Sequence, residues 1–79
     1  MKTFNLDVLT AEKVLYQGEC TSLIYPAPDG MCGIMAGHSD LVSLIVPGTL
    51  TIKGSDTKKV SISGGIITVR SGRVTILAE

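Results

Sequence analysis

His38, Ser39 and Asp40 supply an imidazole, a hydroxyl and a carboxylate, the groups of an acyl-transfer triad. Three neighbours in one stretch rarely converge on a common point, because working triads draw their members from different elements. His38, the one histidine of the chain, is therefore read as a turn or contact residue. Cys20, Cys32 and His38 have the chemistry of metal ligands, but no CxxC pair is present and a fourth ligand would have to come from elsewhere. The two cysteines are read as apolar free thiols. Ser63-Gly64-Gly65 lacks both the lysine and the following helix of a phosphate loop, so its expected role is a bulge or a close approach of two backbones. Lys58-Lys59 and the pair Arg70 and Arg73 are basic. With Phe4, Tyr16 and Tyr25 as the only aromatics, they read as solvated hairpin faces rather than a path for a nucleic-acid strand. The sequence thus offers no catalytic, cofactor or metal site, and attention moves to the surfaces its elements present.

Those elements carry a two-residue period. Phe4, Leu6 and Val8 alternate with Asn5 and Asp7; the same rhythm returns in Leu50-Thr51-Ile52, Val60-Ser61-Ile62, Ile67-Thr68-Val69 and Val74-Thr75-Ile76. Alternation with β-branched enrichment marks half-buried strands. Turn signals at Gln17-Gly18, Pro28-Asp29-Gly30, Pro47-Gly48, Lys53-Gly54-Ser55-Asp56, Ser63-Gly64-Gly65 and Ser71-Gly72 cut the chain into short pieces. The expected fold is all-β, a flattened antiparallel sandwich of about eight to ten short strands. Ser71-Gly72 should close a tight hairpin. A second hairpin should join Leu50-Thr51-Ile52 to Val60-Ser61-Ile62 through a polar loop carrying Lys53, Asp56, Lys58 and Lys59. Residues 11–15 have a helical alternative with Thr10 as N-cap, but Val14, Leu15, Tyr16 and the nearby Gly18 favour a strand.

The 79 residues suffice for one small domain, 1–79. Seven basic residues balance seven acidic ones, so no cationic field exists to hold a polyanion. The apolar share is 44% and the charged share 18%, below the roughly 25% usual for soluble domains. Such a chain is expected to live with part of its surface covered. From Gly30 to Ile52 the only charge is Asp40, and the apolar surplus is expected to concentrate there, with residues 29–43 as the candidate interaction region. The start of the chain has no apolar run long enough for a signal peptide, and no stretch approaches the about 20 apolar residues of a membrane helix. A reducing, cytoplasmic setting with free thiols is the expectation.

In order along the chain, Phe4-Asn5-Leu6-Asp7-Val8-Leu9-Thr10-Ala11-Glu12, Asp29-Gly30-Met31-Cys32-Gly33-Ile34-Met35-Ala36-Gly37-His38, Pro47-Gly48, Ser63-Gly64-Gly65-Ile66 and Val74-Thr75-Ile76-Leu77-Ala78 resemble the epsilon subunit of bacterial F-type ATP synthase. The resemblance covers nearly the whole chain. It implies the family's N-terminal β-sandwich, a non-catalytic central-stalk part that packs on the gamma subunit and rests on the c-ring loops at the cytoplasmic face of the membrane. By position it implies a gamma interface at Thr10, His38 and Ser43 and a c-ring interface at Asp29, Gly30 and Met31. This chain departs from the family pattern at Met31, where an acid is usual, and at Ala36 and Asp40, where prolines are usual. The family's two-helix C-terminal domain has no counterpart in these residues, so neither an inhibitory arm nor nucleotide binding is expected. The alternative to this reading is a β-module that self-associates or binds a small molecule.

Overall fold

A computed structural model describes residues 2–79. The alternating segments become nine strands: β1 (Phe4–Leu9), β2 (Val14–Cys20), β3 (Ser22–Ala27), β4 (Gly30–Met35), β5 (Leu41–Ile45), β6 (Gly48–Lys53), β7 (Thr57–Ile62), β8 (Gly65–Arg70) and β9 (Arg73–Ala78). They form two sheets, one of five strands ordered β2-β1-β9-β8-β5 and one of four ordered β4-β3-β6-β7. The sandwich measures 30 × 24 × 19 Å; its thinnest dimension is that of two sheets stacked about 10 Å apart with side chains on their outer faces.

The core follows from the period. Phe4, Leu6 and Val8 of β1, Val74 and Ile76 of β9, and Ile67 and Val69 of β8 point inward from the larger sheet. Leu23 and Tyr25 of β3, Ile34 of β4, and Leu50 and Ile52 of β6 meet them from the smaller one. Leu6, Val8, Leu23, Leu50, Ile67 and Ile76 have no exposed surface, and burial of each stabilises the fold by about 1.5–3 kcal/mol. Among the described residues no polar or charged side chain is buried, so nothing in the core depends on a compensating ion pair.

The sandwich is as expected, but one pairing is parallel: β1 lies beside β9 with Leu6 opposite Val74 and Val8 opposite Ile76. Period two shows which residues face inward and says nothing of strand direction, which is why an antiparallel neighbour was the default expectation. Arg73 donates from Nη1 to Asp7 Oδ2 at 3.0 Å across this seam. Both hairpins form. Ser71 (φ 50°) and Gly72 (φ 80°) make the two-residue connection of β8 to β9, with positive φ at both positions as a type I′ turn requires. In the β6–β7 hairpin Ile52 pairs with Lys58 and Thr51 with Lys59, so Lys53, Lys58 and Lys59 belong to strands and only residues 54–56 form the loop. Longer pairing wins because each added residue pair satisfies backbone groups while the lysine side chains still reach water.

Residues 11–15 are not helical. Thr10 Oγ1 accepts from the amides of Glu12 and Lys13 at 3.3 and 3.1 Å, the bonding of a helix cap, yet it closes only a turn before β2 begins. Gly65 confirms the close backbone approach: a Cβ there would collide with the Leu77 carbonyl oxygen and lie 3.0 Å from Ala78 Cα.

Candidate interaction surface

The triad dissolves in the structure. His38 Nδ1 donates to the Ser39 carbonyl at 2.7 Å, and His38 is exposed in the β4–β5 connection. Asp40 turns instead to the β8–β9 hairpin, where its Oδ1 accepts from the Ser71 amide at 3.0 Å. A proline at position 40 could not make that bond. Cys20 ends β2 and is buried, while Cys32 is half-buried in β4; both are free. Burial pushes the Cys20 thiol up to about 11, away from reactivity. Burial also raises the Tyr25 hydroxyl, with the neighbouring Cys32 adding to the rise and the Ser43 hydroxyl opposing it. Among the described residues no three His, Cys, Asp or Glu side chains gather closely enough to hold a metal.

A surface depression of about 650 Å³ lies over the β8–β9 hairpin, lined by Thr68, Arg70, Ser71, Arg73 and Thr75. Its two arginines face each other in register, yet Arg73 is paired with Asp7 and Asp40 is bound at the same turn. The acids offset the charge that an anion would need.

The outer face of the five-stranded sheet is different at its other end. Following the registers across all five strands, Val14 lies opposite Leu9, Leu9 opposite Leu77, Leu77 opposite Ile66, and Ile66 opposite Leu44. Four strand spacings of about 4.8 Å make this one apolar row roughly 19 Å long. Val14, Leu77, Ile66 and Leu44 are 55%, 57%, 45% and 61% exposed, and Val42, two residues from Leu44 on the same face, is 70% exposed. The next row toward the hairpin is polar at Gln17, Asp7, Thr75 and Thr68 and apolar only at the β5 edge, where Val42 lies opposite Thr68, and the row beyond it holds Glu19, Asn5, Arg73 and Arg70. A continuous exposed apolar band bordered by polar residues is the usual mark of a covered surface.

This corrects the expectation that the apolar surplus concentrates between Gly30 and Ile52. That stretch supplies Met31, Met35, Val42 and Leu44 to the surface, but Val14, Ile66 and Leu77 come from outside it. Sheet register, set by long-range pairing, aligns them. A local signal was present in Val8-Leu9, Leu44-Ile45, Ile66-Ile67 and Ile76-Leu77: two consecutive apolar residues in a half-buried strand force one of them outward. The stretch 30–37, too rich in glycine for a central strand and too apolar for a loop, is an edge strand followed by a turn.

The residues singled out by position fall into two sets. Thr10 follows β1 at the Leu9 end of the larger sheet, His38 precedes β5 at the opposite end, and Ser43 sits within β5. All three border the five-stranded sheet, but they do not form one patch. Ser43 is half-buried and shares the inward phase of Leu41 and Ile45, so Val42 and Leu44 are the β5 residues that face out. Asp29, Gly30 and Met31 cluster at the tip of the β3–β4 hairpin on the smaller sheet, where Ala27 pairs with Gly30 and all three residues are exposed.

Over residues 3–79 the sequence matches the family described as "ATP synthase, Delta/Epsilon chain, beta-sandwich domain". The chain belongs to that family. Among curated relatives, the ATP synthase epsilon chain of Bordetella parapertussis is 38% identical over 81 residues, covering 100% of this chain and 58% of its own length. That of Leptospira borgpetersenii is 41% identical over 76 residues, covering 95% and 60%. The chain thus spans about three-fifths of the length of these relatives. Its fold is shared with a chain of the Euglena gracilis mitochondrial ATP synthase OSCP/F1/c-ring assembly (TM-score 0.89, 24% identity, 96% of this chain and 50% of that one). A chain of the Tetrahymena thermophila mitochondrial ATP synthase central stalk and c-ring has the same fold (TM-score 0.84, 14% identity, 98% and 63%).

Proposed function

We propose that this domain is the β-sandwich of a non-catalytic rotor subunit in the central stalk of an F-type ATP synthase. It holds the gamma subunit against the c-ring and so supports the coupling of ion flow to ATP synthesis, peripheral to the membrane on its cytoplasmic face. The observation that carries this reading is the apolar row Val14, Leu9, Leu77, Ile66 and Leu44 on one face of a stiff sheet. A torque-transmitting part needs broad contact on rigid elements rather than a pocket of converging polar groups. Membership of the delta/epsilon family and the relatives' name, ATP synthase epsilon chain, support it further.

In this reading gamma covers the outer face of the five-stranded sheet, with Thr10 and His38 at its two ends and Ser43 in its edge strand. The tip Asp29, Gly30 and Met31 meets the c-ring loops. With Met31 where an acid is usual, Asp29 supplies the negative charge of that tip. No cofactor or nucleotide is assigned. The test is reconstitution with purified gamma and c-ring: Met31→Lys should weaken retention on the c-ring while gamma binding persists. Equal retention of wild type and variant on the c-ring would contradict the assignment of the tip.

A further inference from the structure

We infer that the crossing from β5 to β6, Val46-Pro47-Gly48, is a brace that fixes the β3–β4 tip to the five-stranded sheet, with Pro26 and Gly48 as positioning residues. The inference rests on the proposed place of that tip at the c-ring and adds how the tip is held. β3 pairs with β6 only over Ser22, Leu23 and Ile24. Tyr25, Pro26 and Ala27 therefore run on past that neighbour, with β4 as their remaining partner in the sheet. A two-stranded ribbon is marginally stable by itself, and a contact surface at its end would bend under load.

The crossing supplies the support that β6 does not. The Val46 amide, one residue past the end of β5, donates to the Pro26 carbonyl at 3.0 Å. Pro26 has no N–H, so this carbonyl is the only backbone hydrogen-bonding group it offers, and Val46 takes it. Gly48, the first residue of β6, then closes against the pyrrolidine ring: a Cβ there would lie 2.9 Å from Pro26 Cγ and 3.3 Å from Pro26 Cβ. The ring is tied to its own backbone and cannot swing aside, so glycine seats here and a larger residue displaces a strand. On its other side the crossing is backed by Gly64, where a Cβ would lie 3.1 Å from the Ile45 carbonyl oxygen. The Gly64 carbonyl in turn accepts from the Glu79 amide at 3.0 Å, just past β9. Pro26 stands opposite Met31, so a hold on Pro26 reaches the tip in one cross-strand step. Backbone is bonded to backbone at this point, and the tip moves with the larger sheet.

Three measurements on the wild-type chain and on Gly48→Ala test this: hydrogen exchange at the Val46 amide, affinity for purified c-ring and affinity for purified gamma. The added methyl should push Pro26 away and speed exchange at Val46 by about tenfold or more. It should weaken c-ring affinity by about tenfold and leave gamma affinity within about threefold of wild type. Pro26→Ala removes the ring atom that the methyl strikes, so combining it with Gly48→Ala should recover part of both losses, a coupling that independent structural damage does not produce. Unchanged exchange at Val46 in Gly48→Ala would overturn the inference. So would a c-ring affinity within about threefold of wild type despite faster exchange, or a gamma affinity that falls as far as the c-ring affinity. If Gly48→Ala does not fold, Pro26→Ala alone keeps the carbonyl and loses the ring contact; it should show the same split between the two affinities, and an equal fall in both, or none in either, overturns the inference. A wild-type chain that does not bind the c-ring refutes the proposed place of the tip instead, and the exchange rates, read in the chain alone, still decide the brace.

Discussion

At the scale of single residues the domain depends on groups that are buried because of packing and have no role in chemistry. Cys20 keeps its proton in the folded chain up to about 11, against 9.0 for an ordinary thiol. Between those values the unfolded chain has released a proton that the folded chain retains, so rising pH favours unfolding. Stability is complete below pH 9 and declines toward pH 11, and Tyr25, raised in the same direction, extends the loss to higher pH. Urea unfolding at a series of pH values should show this decline, and Cys20→Ala should be flatter over the same range despite its lower stability at neutral pH. Glycines separate in the same concrete way. Gly65→Ala drives a methyl into the Leu77 carbonyl and should cost roughly 2–4 kcal/mol. Gly72→Ala meets nothing within 4 Å and is strained only by its φ of +80°, for about 1–2 kcal/mol. Thermal unfolding of the two variants checks the order. The sequence made Gly64-Gly65 legible as a close backbone approach. The inward turn of Ser43 was not legible, since it depends on which phase of β5 faces Tyr25.

At the scale of elements, the β8–β9 hairpin shows how far local chemistry reaches. Ser71-Gly72 was readable as a turn because positive φ at consecutive positions demands glycine or a residue that tolerates the left-handed region. Asparagine tolerates it better than serine, so Ser71→Asn should raise stability by a few tenths of a kcal/mol. The Asp40 carboxylate that holds the Ser71 amide arrives from 31 positions away in sequence, and nothing local announces it. Asp40→Ala should cost about 0.5–1.5 kcal/mol, or several degrees in unfolding temperature for a domain of this size. A loss this size from removing an exposed carboxylate would be unexpected without the hairpin bond. Strand existence was written in the alternation of Phe4, Leu6 and Val8 and of Val74 and Ile76. The parallel seam of β1 on β9 was not, because direction is fixed by how the chain closes around the core.

For the whole molecule, the low charge and high apolar content of a small domain signalled a covered surface without locating it. Adjacent apolar pairs such as Ile66-Ile67 and Ile76-Leu77 gave each strand an outward apolar residue, and only the register of five strands lined those residues into one row. The proposed role of that row as the gamma-binding face is tested by the affinity of the chain for purified gamma subunit, by isothermal titration, in wild type and in Ile66→Lys with Leu77→Lys. Both side chains are exposed, so the double variant should unfold within a few degrees of wild type. If gamma rests on this face, burying two lysines in place of two apolar anchors should weaken binding by about 100-fold or more. An affinity within about threefold of wild type, with the fold intact, would move the gamma contact off this sheet.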